Sequence, residues 1–182
     1  MDGKRTRFGA APGRPGGNPR DAAYFGNARL LTHEGKEVRF YDDLLNGKLV
    51  VVNMMYTTCT GTCPANTAAM KALQQALGAR VGRDVFMYSL SLRPAFDTPA
   101  ALRDYARLYQ TGPGWTFLTG KPDEVDTIRR RLGFYDSNPA FDADLARHTG
   151  MLRIGNLRPS RWSMAPVLGS TRQLLATIDG AA

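Results

Sequence analysis

One stretch of this chain decides its fold: Val50-Val51-Val52-Asn53-Met54-Met55-Tyr56-Thr57-Thr58-Cys59-Thr60-Gly61-Thr62-Cys63-Pro64. A continuous apolar run, typical of a buried strand, ends at Met55, and Pro64 is typical of the first turn of a helix. The only two cysteines of the chain, Cys59 and Cys63, lie between these two elements. A strand, a cysteine-containing turn and a helix that begins with proline together predict a thioredoxin-like domain.

The flanking sequence predicts an alternating α/β order. Residues 30–40 predict a β-hairpin with Glu34-Gly35 in its turn, and residues 41–45 predict one helical turn. Further strands are predicted over residues 48–55, 84–92, 116–119 and 151–154, and helices over residues 64–77, 97–110, 123–132 and 170–178. This order predicts a mixed central sheet with helices on both faces and an N-terminal β-hairpin.

The chain length of 182 residues suits one domain. Residues 1–20 are rich in Gly, Pro and Arg and predict a disordered leader or linker, which leaves residues 21–182 as the thioredoxin-like domain. No run of about eighteen apolar residues is present, and the N-terminus lacks the apolar segment of a signal peptide.

The net charge of +8 raises the question of nucleic-acid binding. The basic residues are scattered, apart from Arg129-Arg130-Arg131, whose side chains point in different directions if the segment is helical. No zinc-finger spacing or RNP-like aromatic motif accompanies them. The charge therefore predicts a solvated basic surface and no nucleic-acid site, while attraction to an acidic protein or an anionic membrane surface stays open.

The cysteine spacing allows two kinds of chemistry. A helix N-terminus lowers a thiol pKa, and the small residues Thr60-Gly61-Thr62 permit either a disulfide or a metal held by two thiolates. The loop is one residue wider than C-x-x-C, which favours metal without deciding the matter. A third ligand would be a histidine: His33 is predicted at the surface near the hairpin turn, and His148 qualifies only if its loop returns to the cysteines.

From about residue 30 to its C-terminus the chain resembles the Sco/SenC family. The shared motifs are Gly47-Lys48, Tyr56-Thr57-Thr58-Cys59, Cys63-Pro64, Ser89-Leu90-Ser91-Leu92-Arg93-Pro94, Asp97-Thr98-Pro99, Leu118-Thr119-Gly120 and His148. The combination of C-x-x-x-C-P with a histidine far downstream is specific, whereas either half alone would be weak.

The resemblance implies a thioredoxin-like protein in the periplasm or another extracytoplasmic space, anchored to a membrane by a tether that this sequence does not include. It implies copper, as Cu(I) or Cu(II), held by Cys59, Cys63 and His148, a ligand set that suits soft metal ions. The implied role is non-enzymatic: delivery of copper to an acceptor such as a cytochrome c oxidase subunit or a related copper enzyme.

Two other functions remain open. In a thiol–disulfide oxidoreductase that maintains the cysteines of a partner, Cys59 and Cys63 would be catalytic. A peroxidase is a weaker alternative, because the chain shows no Thr-x-x-Cys peroxidatic motif with a supporting arginine.

One departure from the family pattern concerns charge. The family carries Asp-Pro where this chain has Arg93-Pro94, and this strand end is predicted to face the cysteine edge. A guanidinium there opposes a bound cation and favours a free thiolate, so we expect weaker Cu(II) retention or more thiol chemistry.

The remaining candidates are predicted to be structural. Asp97-Thr98-Pro99 predicts a helix cap followed by proline at the first helical position. Tyr56 is predicted to pack beside the site. Trp162 and Met164 are predicted in a loop, with Trp162 in a minor hydrophobic cluster.

Overall fold

The structure is a computed structural model that describes residues 18–182. Residues 1–17 of the predicted leader lie outside the described residues. The first helix, α1, spans Pro19–Phe25, and the side chain of Asn18 caps it by accepting a hydrogen bond from the Arg20 amide at 3.0 Å. Between residues 18 and 182, no helix has the length and apolar character needed to cross a bilayer.

Seven strands form one mixed sheet in the order β2-β1-β5-β4-β3-β6-β7. Their bounds are β1 Arg29–Thr32, β2 Glu37–Arg39, β3 Leu49–Met55, β4 Val85–Ser91, β5 Trp115–Gly120, β6 Met151–Asn156 and β7 Arg161–Pro166. The three central strands β3, β4 and β5 are parallel, and the hairpin β1–β2 joins the sheet antiparallel to β5. The predicted N-terminal hairpin and mixed sheet are therefore confirmed.

Five further helices connect or flank the strands. They are α2 Cys63–Leu77, α3 Pro99–Leu108, α4 Pro122–Arg131, α5 Pro139–Asp142 and α6 Thr171–Ala181. A short π-helix spans Phe40–Leu45, and 3-10 turns span Gly78–Arg80 and Leu145–His148. Thr98 and Pro99 begin α3 as predicted, because the Thr98 hydroxyl accepts a hydrogen bond from the Ala101 amide at 3.2 Å.

Helices cover both faces of the sheet, which produces two hydrophobic cores. All seven residues of β3 are buried, as its continuous apolar run predicts. Val51 and Met55 face the core formed with α2, α3 and α6, while Val52 and Met54 face the core formed with α1, α4 and the π-helix. The α/β, thioredoxin-like fold class predicted from the sequence is confirmed.

The prediction that Trp162 and Met164 lie in a loop is wrong, because both belong to β7. This strand pairs antiparallel with β6 at the edge of the sheet, and Trp162 lies opposite Gly155. A Cβ atom on Gly155 would approach the indole ring to 2.3 Å, so glycine leaves the space that the ring fills. The indole also packs 5.1 Å from the ring of Phe25, which ties α1 to the sheet.

His33 is half-buried rather than fully at the surface. Its Nδ1 atom accepts a hydrogen bond from the Phe117 amide at 3.2 Å, and its own amide donates to the Phe117 carbonyl at 2.9 Å. Burial lowers the pKa of its imidazole. The side chain therefore helps join the hairpin to β5.

Candidate functional site

The two cysteines lie together at the carboxyl edge of the parallel strands. Strand β3 ends at Met55, the loop from residue 56 to residue 62 carries Cys59, and Cys63 is the first residue of α2. Both thiols are reduced and buried, with Cys59 8% and Cys63 1% exposed. Reactive and ligand-binding groups collect at this edge of α/β sheets, because the loops of parallel strands meet there.

The environments of the two thiols shift their pKa values in opposite directions. Burial raises the pKa of Cys59, but hydrogen bonds from the Cys63 thiol, the Cys63 amide, the Tyr56 hydroxyl and the Gly61 amide outweigh it and lower the pKa overall. Burial and the hydrogen bond to Cys59 raise the pKa of Cys63 to about 12. Cys59 is therefore the more readily ionised thiol of the pair, and Cys63 is the thiol that donates to it.

Tyr56 contacts the site directly instead of only packing beside it. Its hydrogen bond to Cys59, followed by burial, raises the pKa of its hydroxyl to about 12. The hydroxyl consequently stays protonated and remains a donor to the sulfur. Tyr56 thus helps to lower the pKa of Cys59.

Asp97 anchors the cysteine loop to the end of β4. Its buried carboxylate accepts hydrogen bonds from the Thr57 amide at 3.2 Å, the Thr57 hydroxyl at 2.5 Å and the Ser91 hydroxyl at 2.5 Å. The sequence predicted the cap and proline at this triplet but assigned no role to the aspartate. The residues that meet Asp97 are six and forty positions away, so sequence spacing gave no signal for this contact.

Arg93 reaches the cysteine loop from the β4–α3 connection. Its Nη1 atom donates to the Thr58 hydroxyl at 3.0 Å, next to Cys59 in the chain. Its guanidinium lies 4.4 Å from the ring centroid of Phe96, over which it stacks.

The segment that carries His148 returns to the cysteines, but the imidazole points elsewhere. Thr149 contacts the start of α2: its hydroxyl lies 3.0 Å from the Thr62 hydroxyl and is hydrogen-bonded to Cys63, and its carbonyl accepts from Asn66 at 2.8 Å. The buried His148 ring has Nε2 2.9 Å from the Asp142 carbonyl oxygen and 3.3 Å from Arg129 Nη1. Within residues 18–182, no three His, Cys, Asp or Glu side chains are grouped closely enough to hold a metal ion.

Arg129 and Asp142 form a buried ion pair beside His148. Arg129 donates to both carboxylate oxygens of Asp142, at 2.7 and 2.9 Å, and also to Asp126 at 2.6 Å. The bond from Arg129 holds the pKa of Asp142 well below its usual range. The prediction of a solvated basic surface is therefore wrong for Arg129, whose charge is matched by buried and partly buried carboxylates.

Comparison with known proteins places the chain in a family. The SCO1/SenC family model matches residues 18–179. The chain belongs to the SCO1/SenC family. A SCO1 protein homologue of Bacillus subtilis is 35% identical over 126 residues, which cover 58% of this chain and 64% of that protein. The chain spans less than two thirds of the length of the curated relatives it matches.

Solved structures of Sco proteins share the fold. Copper-bound ScoI of Bradyrhizobium japonicum superposes with a TM-score of 0.66 at 23% identity, over 86% of this chain and 98% of that one. BsSco, described as a Sco-family cytochrome c oxidase assembly protein with a disulfide switch, gives a TM-score of 0.69 at 22% identity, over 86% and 92% of the chains.

The cysteine pair of this SCO1/SenC chain offers sulfur donors that fit copper. Two sulfur atoms lie within hydrogen-bonding reach of each other, and a histidine lies one residue away from a residue that contacts Cys63. Thiolate and imidazole ligands suit copper, and Cu(I) accepts low coordination numbers.

Proposed function

We propose that this protein binds one copper ion through Cys59, Cys63 and His148 and delivers it to a copper-acceptor protein such as a cytochrome c oxidase subunit. The observation that carries this proposal is the buried, hydrogen-bonded pair of free cysteines at the start of α2, against which Thr149 packs. The copper-bound state of the Bradyrhizobium relative supports the choice of metal.

The histidine must move for all three residues to bind one ion. Its ring would leave the Asp142 carbonyl and Arg129 and turn toward the cysteines. The backbone of His148 is already close to the cysteine loop, because the next residue, Thr149, contacts Thr62. The two thiolates would capture the metal first, and the imidazole would close the site. An acceptor with its own thiolates and imidazoles would then take the ion by ligand exchange.

The cellular location of the protein is part of the same proposal. We infer that the protein works in the periplasm or another extracytoplasmic space, close to a membrane. The family relationship supports this inference.

Copper titration of four variants under reducing conditions tests the function. We expect stoichiometric Cu(I) binding by the wild type, loss of binding in Cys59→Ser and Cys63→Ser, and roughly tenfold or greater weakening in His148→Ala. His33→Ala is the matched control, since it removes the only other histidine and should bind as the wild type does. Equal affinity of His148→Ala and the wild type would remove His148 from the ligand set.

The contrast between the two thiols favours a second candidate, a thiol–disulfide oxidoreductase. Cys59 thiolate would attack a partner disulfide, and Cys63 would then displace the partner from the mixed disulfide. The disulfide switch of BsSco is consistent with such chemistry. This activity requires both cysteines but not the imidazole, so it should persist in His148→Ala, which separates it from copper carriage.

A further inference from the structure

Arg93 places a positive charge beside the cysteine loop without a carboxylate to match it. The bond to Thr58 uses one of the five N–H donors of its guanidinium, and no ion pair joins Arg93 to any carboxylate in the part of the chain that the structure describes. The other N–H groups have no hydrogen-bond partner among the described residues.

The guanidinium is held in place by an exposed aromatic ring. It stacks on Phe96, which is 65% exposed, and the Arg93 amide donates to the Ser91 hydroxyl at 2.9 Å. Arg147 makes a similar stack on Phe141 at 4.2 Å, but its charge is paired with Asp144 at 3.5 Å. Of these two stacked arginines, only Arg93 keeps its charge available for a partner.

We propose that Arg93 selects the partner of the cysteine pair: a protein segment whose own cysteines are flanked by carboxylates. A carboxylate is the group that a free guanidinium binds best, and this one is bonded to Thr58, the residue that precedes Cys59 in the chain. The net charge of +8 draws an acidic segment toward the protein as a whole. This inference rests on the proposed function only in that both use Cys59 and Cys63.

Thiol–disulfide exchange with synthetic peptides tests the selection without copper. The Cys59 thiolate attacks one sulfur of an oxidised peptide and forms a mixed disulfide, and a peptide thiolate leaves. Cys63 loses its proton and attacks the Cys59 sulfur, which forms the Cys59–Cys63 disulfide and releases the second peptide thiolate. The protein dithiol is oxidised, and one peptide disulfide is reduced to two thiols.

Three disulfide peptides, identical except that Glu, Gln or Lys flanks their cysteines, provide the measurement. The readout is the ratio of the rate with the Glu peptide to the rate with the Gln peptide, in which the intrinsic reactivity of Cys59 cancels. We expect the wild type to favour the Glu peptide by about 3- to 10-fold, and to favour the Lys peptide least. The preference should collapse in 1 M salt, where the Debye length is about 3 Å.

Variants assign the preference to one side chain. Arg93→Gln should bring the ratio to about one, Arg93→Glu should invert it, and Arg93→Lys should retain part of it. Arg158→Gln is the matched control: it removes the same charge at the opposite end of β3, where Arg158 contacts the Gly47 carbonyl, and should leave the ratio unchanged.

Two outcomes would overturn the inference. One is a wild type that reacts with all three peptides at equal rates, and the other is a ratio that Arg93→Gln and Arg158→Gln alter alike. Glutathione disulfide is tested alongside the peptides. If the wild type reacts with it faster than with the Glu peptide, Arg93 recognises a small anionic disulfide instead of a protein, which would also contradict the inference. Failure of copper binding would leave these rates unaffected, so the two proposals fail separately.

Discussion

At the scale of single residues, the two cysteines of one site differ in acidity. Burial raises both pKa values, more completely at Cys63, and the direction of the hydrogen bonds widens the difference: four donors converge on Cys59, while Cys63 donates. Position at a helix N-terminus predicts activation of both thiols. Only the structure shows that Cys59 receives it.

Removal of one sulfur should shift the pKa of the other. In Cys63→Ala, the pKa of Cys59 should rise, because the thiol donor is lost while burial persists. In Cys59→Ala, the pKa of Cys63 should fall from about 12 yet stay above the ordinary thiol value, since burial is the larger cause of its shift. The pH dependence of ultraviolet thiolate absorbance measures both, and an unchanged Cys59 pKa in Cys63→Ala would contradict this description of the pair.

Arg93 should also influence the metal. Arg93→Asp replaces a cation near Cys59 with an anion, so Cu(II) affinity should rise by about tenfold and the pKa of Cys59 should rise with it. Competitive Cu(II) titration and thiolate titration measure the two effects. Arg93→Gln only removes the charge, so its Cu(II) affinity and its Cys59 pKa should lie between those of Arg93→Asp and the wild type. If Arg93→Asp changed neither quantity, the effect of Arg93 on the site would be refuted.

At the scale of elements, the segment between α4 and β6 is held by charge. Asp142 lies in α5 and meets Arg129 and Arg130 of α4, and its backbone carbonyl meets His148. Both partners of the Arg129–Asp142 pair are less than 10% exposed. Breaking a buried pair leaves one charge without a partner, which costs more than an exposed pair contributes.

Loss of this pair should destabilise the fold. Asp142→Asn should lower the free energy of unfolding by about 2–4 kcal/mol at neutral pH. Because the folded state depresses the pKa of Asp142, its contribution is present above the unfolded-state pKa of about 3.9 and fades as the pH falls below that value. Urea denaturation of both proteins from neutral pH to about pH 3 should therefore show a difference that narrows in acid.

The matched control for this variant is Asp144→Asn. Asp144 is 54% exposed, its ion pair with Arg147 is 3.5 Å long, and asparagine can still cap the following turn. We expect a loss below about 1 kcal/mol. Equal losses from Asp142→Asn and Asp144→Asn would show that the buried pair contributes no more than a surface one.

At the scale of the whole molecule, the sequence predicts the fold better than it predicts the site. Strands that are buried on both faces, such as β3, are predicted from their continuous apolar runs. The starts of α2, α3 and α4 are indicated by proline. β7 was missed because only Ala165 of this edge strand is buried, and its mixture of Arg, Trp, Ser, Met, Ala and Pro lacks such a run. A continuous apolar run indicates a buried strand, so it does not detect an edge strand whose residues are mostly not buried.

The site was only partly predictable for a related reason. The two cysteines are four positions apart, so their proximity follows from the turn that joins β3 to α2. Asp97 meets Thr57 forty residues away, and Arg129 meets His148 nineteen residues away. Such contacts depend on which loops the sheet order β4-β3-β6 brings to one edge, and local patterns do not encode that order.

The separation of the two cysteine pKa values has a consequence for how copper is taken up. Between the two pKa values the pair carries a single shared proton, so capture of Cu(I) by both sulfurs must expel one proton into the solvent, and not two. Apparent affinity should then strengthen by about tenfold per pH unit across that window, measured as the slope of log Kd against pH. By the same stoichiometry, a fall in pH around the protein would weaken Cu(I) binding and promote release of the ion.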